Sequence, residues 1–178
     1  IVGYGHVGSE LGRMLRTLNI HYVAYDPPLE VRDITFSSAE IEEILACDIL
    51  SFHTPLTNFG LYPTKHWMDE DKLQNQSFNC IINSSRGGVT DEKALINAHQ
   101  NGQIGTLITD VWENEPEFSK EMMKHSFIAT PHIAGYSEQA KLRATKMICD
   151  QLIRFFDLPE VPTDLLSKST EVHINDAS

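Results

Sequence analysis

Gly3-Tyr4-Gly5-His6-Val7-Gly8 is the stretch of sequence that decides the fold. It follows the short apolar run Ile1-Val2 and leads into residues 7–18, where apolar side chains recur at helical spacing. A glycine-rich turn between a strand and a helix predicts a phosphate site, because unpaired N–H groups and a partial positive charge lie at the helix N-terminus. We interpret the turn as a dinucleotide cradle, and the alternative is a purely structural turn.

The second apolar run ends on Asp26. It lies roughly 20 residues beyond the glycines, where an acid accepts the hydroxyl groups of an adenosine ribose. A carboxylate there repels a 2′-phosphate, so the sequence favours NAD over NADP, although Arg32 lies nearby. The alternative for Asp26 is a turn residue before Pro27 and Pro28, and we expect these prolines to continue neither a strand nor a helix.

Six short apolar runs in this chain each end on a polar residue. The six ends are Gly3-Tyr4-Gly5, Asp26, His53-Thr54-Pro55, Asn83-Ser84-Ser85-Arg86, Asp110 and Thr130-Pro131-His132. Helical patterns alternate with the runs, which predicts an α/β fold with a doubly wound parallel sheet of the Rossmann type. Ligands of such sheets bind beyond the carboxyl ends of the strands, so we expect all six ends to line one crevice.

The predicted elements follow from periodicity and capping residues. Strands are expected at 1–2, 21–25, 49–52, 80–82, 106–109 and 127–129, and helices at 7–17, after Ser38, from Asp91 to Gly102, and at 137–158. Residues 57–79 are expected to form a loop with a short helix. The first strand begins abruptly, so we expect a piece of a longer protein, with a nucleotide-binding domain over 1–158 and a polar tail or linker over 159–178.

Composition excludes several classes of protein. The 178 residues are 41% hydrophobic, enough to bury a core, and carry a net charge of -11 without a Lys/Arg run. This charge argues against a nucleic acid or an anionic membrane as partner. No stretch reaches the roughly 18 apolar residues of a membrane span, and no signal peptide opens the chain. Cys47, Cys80 and Cys149 lack metal-binding spacing and indicate a reduced, cytoplasmic compartment, with Cys47 and Cys80 expected as buried structural thiols.

Two side chains at predicted strand ends suit chemistry on a substrate. Arg86 follows a buried strand and precedes two glycines, so its guanidinium could hold a carboxylate through two bonds; the alternative is a surface arginine paired with Asp91. His132 can accept and donate a proton at neutral pH, although a lone histidine is commonly structural. A carboxylate after the fifth run would orient it. Glu115 is the better candidate than Glu113 because Pro116 fixes the backbone beside it, although spacing alone does not choose between them.

Four motifs in order carry a family resemblance. Over residues 1–158 the chain resembles the D-2-hydroxyacid dehydrogenase family, through Gly3-Tyr4-Gly5-His6-Val7-Gly8, Ser85-Arg86-Gly87-Gly88, Asp110-Val111-Trp112-Glu113-Asn114-Glu115-Pro116 and Thr130-Pro131-His132-Ile133-Ala134-Gly135. A narrower resemblance, to the branch of the family that acts on a phosphorylated 2-hydroxy acid, lies in the segments 52–57 and 60–66.

The resemblance implies an NAD-dependent oxidoreductase, homodimeric at full length, that oxidises the CH–OH group of a small D-2-hydroxy acid. It implies Arg86, Glu115 and His132 as the catalytic residues. It also implies cofactor contacts from Gly5, His6, Val7, Asp26, Thr54, Pro55, Ser84, Ser85, Arg86, Asp110, His132 and Gly135. Family members have a second domain that binds substrate, so we expect this chain alone to bind NAD yet turn over poorly, because water reaches its site.

Alternatives remain at this level. Within the family, the substrate could instead be D-lactate, glycerate or phosphoglycerate. Outside it, the domain could be a non-catalytic NAD(H)-sensing module, against which the intact set of arginine, glutamate and histidine argues. A different NAD enzyme on the same sheet, such as a hydrolase that uses bound NAD internally, would need substrate residues that we do not find.

Overall fold

A parallel sheet of four strands lies at the centre of residues 1–134. The strands, in spatial order, are β1 (Ile49–Phe52), β2 (Phe78–Asn83), β3 (Ile104–Thr109) and β4 (Ile128–Ala129). In register, Leu50 pairs with Ile81, and Ile81 pairs with Leu107. The computed structural model describes residues 1–159. Within them, the predicted α/β fold with a parallel sheet is confirmed.

The first two predicted strands are shorter than expected. Val2 bridges in parallel to Tyr25 on one side and to Phe52 of β1 on the other, and neither bridge extends into a ladder. Gly3, with a φ of +89°, turns the chain away directly after Val2. A helix begins directly after Asp26, so the neighbouring run ends as soon as it has paired. The strands expected at 1–2 and 21–25 are therefore single bridges at the edge of the sheet.

Six α-helices accompany the sheet in the first unit. They are α1 (His6–Thr17), α2 (Pro27–Arg32), α3 (Ile41–Leu45), α4 (Glu70–Leu73), α5 (Glu92–Gln100) and α6 (Lys120–His125). The predictions of α1, of α5 and of a short helix within 57–79 are confirmed. As expected, α5 begins after Asp91, whose carboxylate accepts the Ala94 N–H at 3.0 Å. Gly102 follows its end with a φ of +75°.

Consecutive prolines begin α2 rather than ending regular structure, which corrects the prediction for Pro27 and Pro28. Proline suits the first turn of a helix because the N–H groups there have no intrahelical acceptor and the fixed φ is already helical. The carboxylate of Asp26 accepts the Leu29 N–H at 2.9 Å and so caps the helix. The structural role of Asp26 is therefore that of a helix cap, not that of the turn residue given as its alternative.

Two further boundaries differ from expectation. The N-cap of α3 is Glu40, not Ser38, because Glu40 and Glu43 form reciprocal capping bonds. The Ser38 hydroxyl instead accepts the Asp26 N–H at 3.0 Å. Helix α6 was not predicted, since its six residues are too few for a helical period to stand out.

The core lies on and beside the sheet. Phe52 and Leu50 of β1 are fully buried, as are residues of β2 and β3. The Trp67 ring packs against Phe52 at a centroid distance of 5.7 Å and against Tyr25 at 5.4 Å. Trp67, in the loop before α4, therefore contacts both residues that bridge to Val2.

The three cysteines are free thiols. Cys47 and Cys80 are half-buried rather than buried, which corrects the expectation, and Cys149 is exposed. Burial raises the pKa of the Cys80 thiol, so it stays protonated and weakly nucleophilic at neutral pH.

A second unit begins at Gly135 and contains α7 (Glu138–Phe156). Ser137 caps it, its hydroxyl accepting the Ala140 N–H at 3.0 Å, and Asp157 ends it with a left-handed φ of 50°. The predicted tail over 159–178 lies, apart from Pro159, outside the described residues. None of the helices described through residue 159 has the length and apolarity that crossing a membrane requires.

Replacing Phe52 by alanine tests the core assignment. Because Phe52 is fully buried, the Phe52→Ala change is expected to lower the free energy of unfolding by about 3–5 kcal/mol. Urea denaturation of the complete protein measures it. The matched control is Phe59→Ala, since Phe59 is 88% exposed and its loss should change stability by less than about 0.5 kcal/mol. Equal effects of the two changes would contradict the placement of the core.

Candidate active site

The glycine turn places the N-terminus of α1 at an open surface. A Cβ on Gly8 would lie 2.0 Å from the Gly3 carbonyl oxygen, so only glycine permits this close approach of helix and turn. The N–H groups of residues 6–8 have no acceptor within the helix, and Gly5 provides no side-chain cap. A Cβ on Gly5 would meet nothing within 4 Å. There is therefore open space beside Gly5 at the helix N-terminus, which fits the phosphates of a dinucleotide.

Asp26 faces this turn as well as capping α2. Its Oδ2 accepts the Tyr4 N–H at 2.8 Å, while Oδ1 accepts the Leu29 N–H. A carboxylate has about four acceptor positions, so lone pairs remain for ribose hydroxyl groups. Arg32 donates from Nε to the Pro28 carbonyl of its own helix at 3.0 Å, so this bond draws its guanidinium toward α2. The geometry fits a dinucleotide that lacks a 2′-phosphate.

Parallel pairing brings the carboxyl ends of β1 to β4 to one edge of the sheet. The remaining predicted site residues of the first unit follow these ends: Thr54 and Pro55 after β1, Ser84, Ser85 and Arg86 after β2, Asp110 after β3 and His132 after β4. The Thr54 Oγ1 is buried and has no hydrogen-bond partner within residues 1–159. Gly135, also predicted to contact the cofactor, belongs to the second unit.

The turn that carries Arg86 is held by the side chain of Asn83. Its Oδ1 accepts the N–H and the hydroxyl of Ser85 at 3.1 and 2.9 Å, and its Nδ2 donates to the Arg86 carbonyl at 3.0 Å. Arg86 itself is exposed, with Nη1 donating to the Ser85 carbonyl at 2.6 Å. The alternative of a pair with Asp91 is not seen, since Arg86 forms no ion pair with any residue described here.

Asp110 is buried and holds the segment that carries His132. Its carboxylate accepts the N–H groups of Ile133 and Ala134 at 2.8 and 2.9 Å and the Thr130 hydroxyl, and its carbonyl accepts the His132 N–H at 2.7 Å. These bonds hold His132 at a left-handed φ of 57°, a conformation that costs about 1 kcal/mol. Partial burial acts to raise the pKa of Asp110, but these bonds and the nearby imidazole outweigh it and lower the pKa.

His132 contacts Glu115, which resolves the choice that spacing left open. The distance from Nδ1 to the Glu115 Oε2 is 2.8 Å, and the other carboxylate oxygen accepts the Trp112 N–H at 2.9 Å. Partial burial acts to raise the pKa of Glu115, but these two bonds and the charges of His132 and Arg86 lower it. An ionised carboxylate only accepts, so Nδ1 carries a hydrogen and Nε2 is free to take a proton.

The His132 imidazole and the Glu115 carboxylate are therefore in contact at this edge of the sheet, and the Arg86 guanidinium is near enough to lower the pKa of Glu115. The side chains of His132 and Glu115 are 43% and 35% exposed, so a small substrate can reach them. The arrangement can hold an anion and transfer a proton. Among residues 1–159, no three metal-ligating side chains come together.

Sequence reasoning missed the contacts beneath these groups. Glu92 and Glu113 accept hydrogen bonds from each other's backbone N–H, and the Glu113 Oε1 lies 3.1 Å from the His66 Nε2. The only local signal was an acid in the first turn of α5, which is ordinary for a helix. The Trp112 Nε1 also donates to the Thr130 carbonyl at 3.0 Å, a contact between two motifs that no spacing rule foresees.

A glycine turn before a helix and an acid after the next apolar run occur together in dinucleotide-binding α/β domains, and the first unit is such a domain. Residues 1–134 match the family model described as D-isomer specific 2-hydroxyacid dehydrogenase, NAD binding domain. The chain belongs to this family, and its dinucleotide is NAD.

Two relatives and one solved structure show the extent of the similarity. The chain is 41% identical over 162 residues to erythronate-4-phosphate dehydrogenase of Idiomarina loihiensis, covering 89% of this chain and 42% of that protein. It is 41% identical over 163 residues to the enzyme of that name in Bacteroides thetaiotaomicron, covering 89% and 46%. The crystal structure of Rhodotorula graminis D-mandelate dehydrogenase superposes with a TM-score of 0.70 at 26% identity, covering 86% and 46%. The chain thus spans less than half the length of these relatives.

An Asp26→Ser substitution tests the dinucleotide site. Serine still caps α2, but the negative charge that repels a 2′-phosphate is lost. NADH affinity is expected to fall, and the preference for NADH over NADPH is expected to shrink about tenfold, equivalent to ~1.4 kcal/mol. Fluorescence titration of the complete protein with both cofactors measures the ratio. An unchanged ratio would contradict the assignment of Asp26.

An Asp110→Asn substitution tests the anchor of the His132 segment. An amide group keeps only one acceptor oxygen, so stability at pH 7 should fall by about 1–3 kcal/mol. Because the folded state lowers the pKa of Asp110, its contribution is present above the ordinary pKa and is lost as the pH falls through the folded-state value. Urea titrations at neutral and acid pH should therefore converge for the two proteins. The exposed Asp71→Asn is the control, and a pH-independent difference would refute the role of the charge.

Proposed function

We propose that the complete protein is an NAD-dependent dehydrogenase that oxidises the C2 hydroxyl of a phosphorylated D-2-hydroxy acid. The observation that carries the proposal is the 2.8 Å bond between His132 and Glu115, with the Arg86 charge near enough to lower the pKa of Glu115. A domain that only binds a dinucleotide, without catalysing a reaction, does not need an imidazole oriented by a carboxylate. The family supports the same class of reaction.

Three residues carry out the proposed reaction. Bound NAD supplies the hydride acceptor at C4 of its nicotinamide. Arg86 holds the substrate carboxylate and polarises the C2 oxygen. His132 takes the hydroxyl proton on Nε2 as the C2 hydrogen leaves with its electron pair, so the C2–O single bond becomes a carbonyl. Glu115 holds the imidazole in the required tautomer and stabilises the imidazolium that forms.

The specific substrate that we propose is 4-phospho-D-erythronate, with 2-oxo-3-hydroxy-4-phosphobutanoate as product, in pyridoxal phosphate biosynthesis. The relatives named erythronate-4-phosphate dehydrogenase support this choice. So does the narrower resemblance of segments 52–57 and 60–66, which is to enzymes of that name. Contacts to the substrate phosphate are expected partly from the second domain that the family resemblance implies.

We also propose that the protein acts in the cytoplasm as a homodimer. Free thiols at all three cysteines support a reducing compartment. The dimer follows from the family resemblance, and sedimentation of the complete protein tests it.

A substrate survey tests the proposed function. The complete protein is incubated with NAD and D-2-hydroxy acids that carry or lack a 4-phosphate, and absorbance at 340 nm reports NADH. Turnover with 4-phospho-D-erythronate well above that with D-lactate or glycerate is the expected result. NADH binding without turnover of any 2-hydroxy acid would instead indicate a sensing module.

A His132→Gln substitution tests the proton transfer. Glutamine cannot act as a base, so kcat should fall by about 10²–10⁴, while the dissociation constant for NADH stays within about twofold. The matched control is His125→Gln, because His125 is the last residue of α6 and its ring contacts His99 and Gln100 of α5. An unchanged rate in the His132 variant would remove His132 from the chemistry.

A further inference from the structure

Three segments of chain meet beside the proposed catalytic residues. The backbone N–H of His66 donates to the Gly88 carbonyl at 2.7 Å, and Met68 forms a parallel bridge with Thr90. The loop before α4 therefore runs along the turn that follows Arg86. The third segment is the peptide between Trp112 and Glu113, which leads to Glu115.

The turn after Arg86 lies directly on that peptide. A Cβ on Gly87 would lie 1.9 Å from the Trp112 carbonyl oxygen and 2.6 Å from the Glu113 nitrogen. Backbone thus packs on backbone, with no side chain between them that could yield. Any shift of the Glu113 peptide would be transmitted to the turn that carries Arg86.

Two glutamates fasten this contact. The Glu92 Oε1 accepts the Glu113 N–H at 2.9 Å, and the Glu113 Oε1 accepts the Glu92 N–H at 3.0 Å. We call these two residues the glutamate clasp. Glu92 is 8% exposed, so water competes little for its bonds. His66 places Nε2 3.1 Å from the Glu113 Oε1 and Nδ1 3.8 Å from the Asp91 Oδ2.

We propose that the glutamate clasp positions the catalytic residues by fixing the distance between Arg86 and the Glu115–His132 pair. Glu92 and Glu113 are positioning residues, since neither has a described contact with Arg86 or His132. The proposal rests on the proposed dehydrogenase function. A misplacement of about 1 Å between groups that must act together costs on the order of 100-fold in rate.

The chemistry of the clasp indicates which property of Glu92 matters. Burial raises the pKa of Glu92, and with the nearby charges of Glu113 and Asp91 it outweighs the lowering by the hydrogen bond from the Glu113 N–H. Ionisation of Glu92 therefore opposes the folded state as the pH rises. The useful feature of Glu92 is its acceptor oxygen, and an uncharged amide keeps that oxygen.

The test compares two substitutions at Glu92 with a matched helix cap. Glu92→Ala removes the acceptor, and Glu92→Gln retains it. Ser119→Ala is the control, because the Ser119 hydroxyl accepts a single backbone N–H at 3.1 Å, that of Met122 on α6. In the complete protein, kcat and KM for NAD and for the hydroxy acid are measured beside Tm. Relative to the wild-type protein, Glu92→Ala should lower kcat by about 10–100-fold and change KM for NAD by no more than about twofold. Glu92→Gln and Ser119→Ala should each keep kcat within about threefold of the wild-type value.

Several outcomes would overturn the positioning role. One is an unchanged kcat in Glu92→Ala. Another is a fall in kcat no larger than that of Ser119→Ala when the two variants lose the same Tm. The third is a Glu92→Gln protein whose kcat is as low as that of Glu92→Ala. If Glu92→Ala does not fold, Glu113→Ala against Glu113→Gln makes the same comparison at a more exposed position. A wild-type protein that turns over no 2-hydroxy acid refutes the proposed function and the positioning role together. Wild-type turnover that survives both alanine changes refutes the positioning role alone.

Discussion

Parallel pairing of the strands is the constraint on which the rest of the structure depends. Because β1 to β4 run in one direction, every segment that leaves a strand end emerges at the same edge of the sheet. Asn83 and Thr109 are partners in the ladder, so the segments carrying Arg86 and Asp110 leave side by side. Strand β3 also pairs in parallel with β4, and His132 follows the end of β4. Residues far apart in sequence become neighbours by register alone.

Buried polar side chains hold the loops that carry the exposed side chains of Arg86 and His132. Asn83 holds the arginine turn, Asp110 holds the histidine segment, and the glutamate clasp links the start of α5 to the peptide that leads to Glu115. Buried polar side chains must find partners, and here their partners are the N–H and C=O groups of the loops above. These bonds add to the packing of apolar residues in the same loops, since Val89 and Trp112 are buried in the core. Arg86 and His132 can stay exposed to substrate while their backbones are fixed.

Much of the fold could be predicted from the sequence, because strong local signals agreed with the tertiary structure. Glycine spacing located α1, Asp91 and Gly102 bounded α5, and apolar runs located the strands. The cap of α3 was misplaced at Ser38 because Glu40 and Glu43 bond each other instead, and α6 was missed because six residues are too few for a helical period to stand out. Glu115 could not be distinguished from Glu113 by spacing, since only the fold turns one toward His132 and the other toward Glu92.

The fixed orientation of His132 has a consequence for handedness. In the proposed enzyme, the C2 carbon of a substrate has its carboxylate on Arg86, its hydroxyl on Nε2 of His132 and its hydrogen toward the nicotinamide. Three fixed attachment points define a chiral frame. A mirror-image molecule that kept two of them would direct its third group away from its partner. Because Asp110 holds the backbone beside His132, we expect this loop to keep its position, so that the proposed enzyme would select one enantiomer.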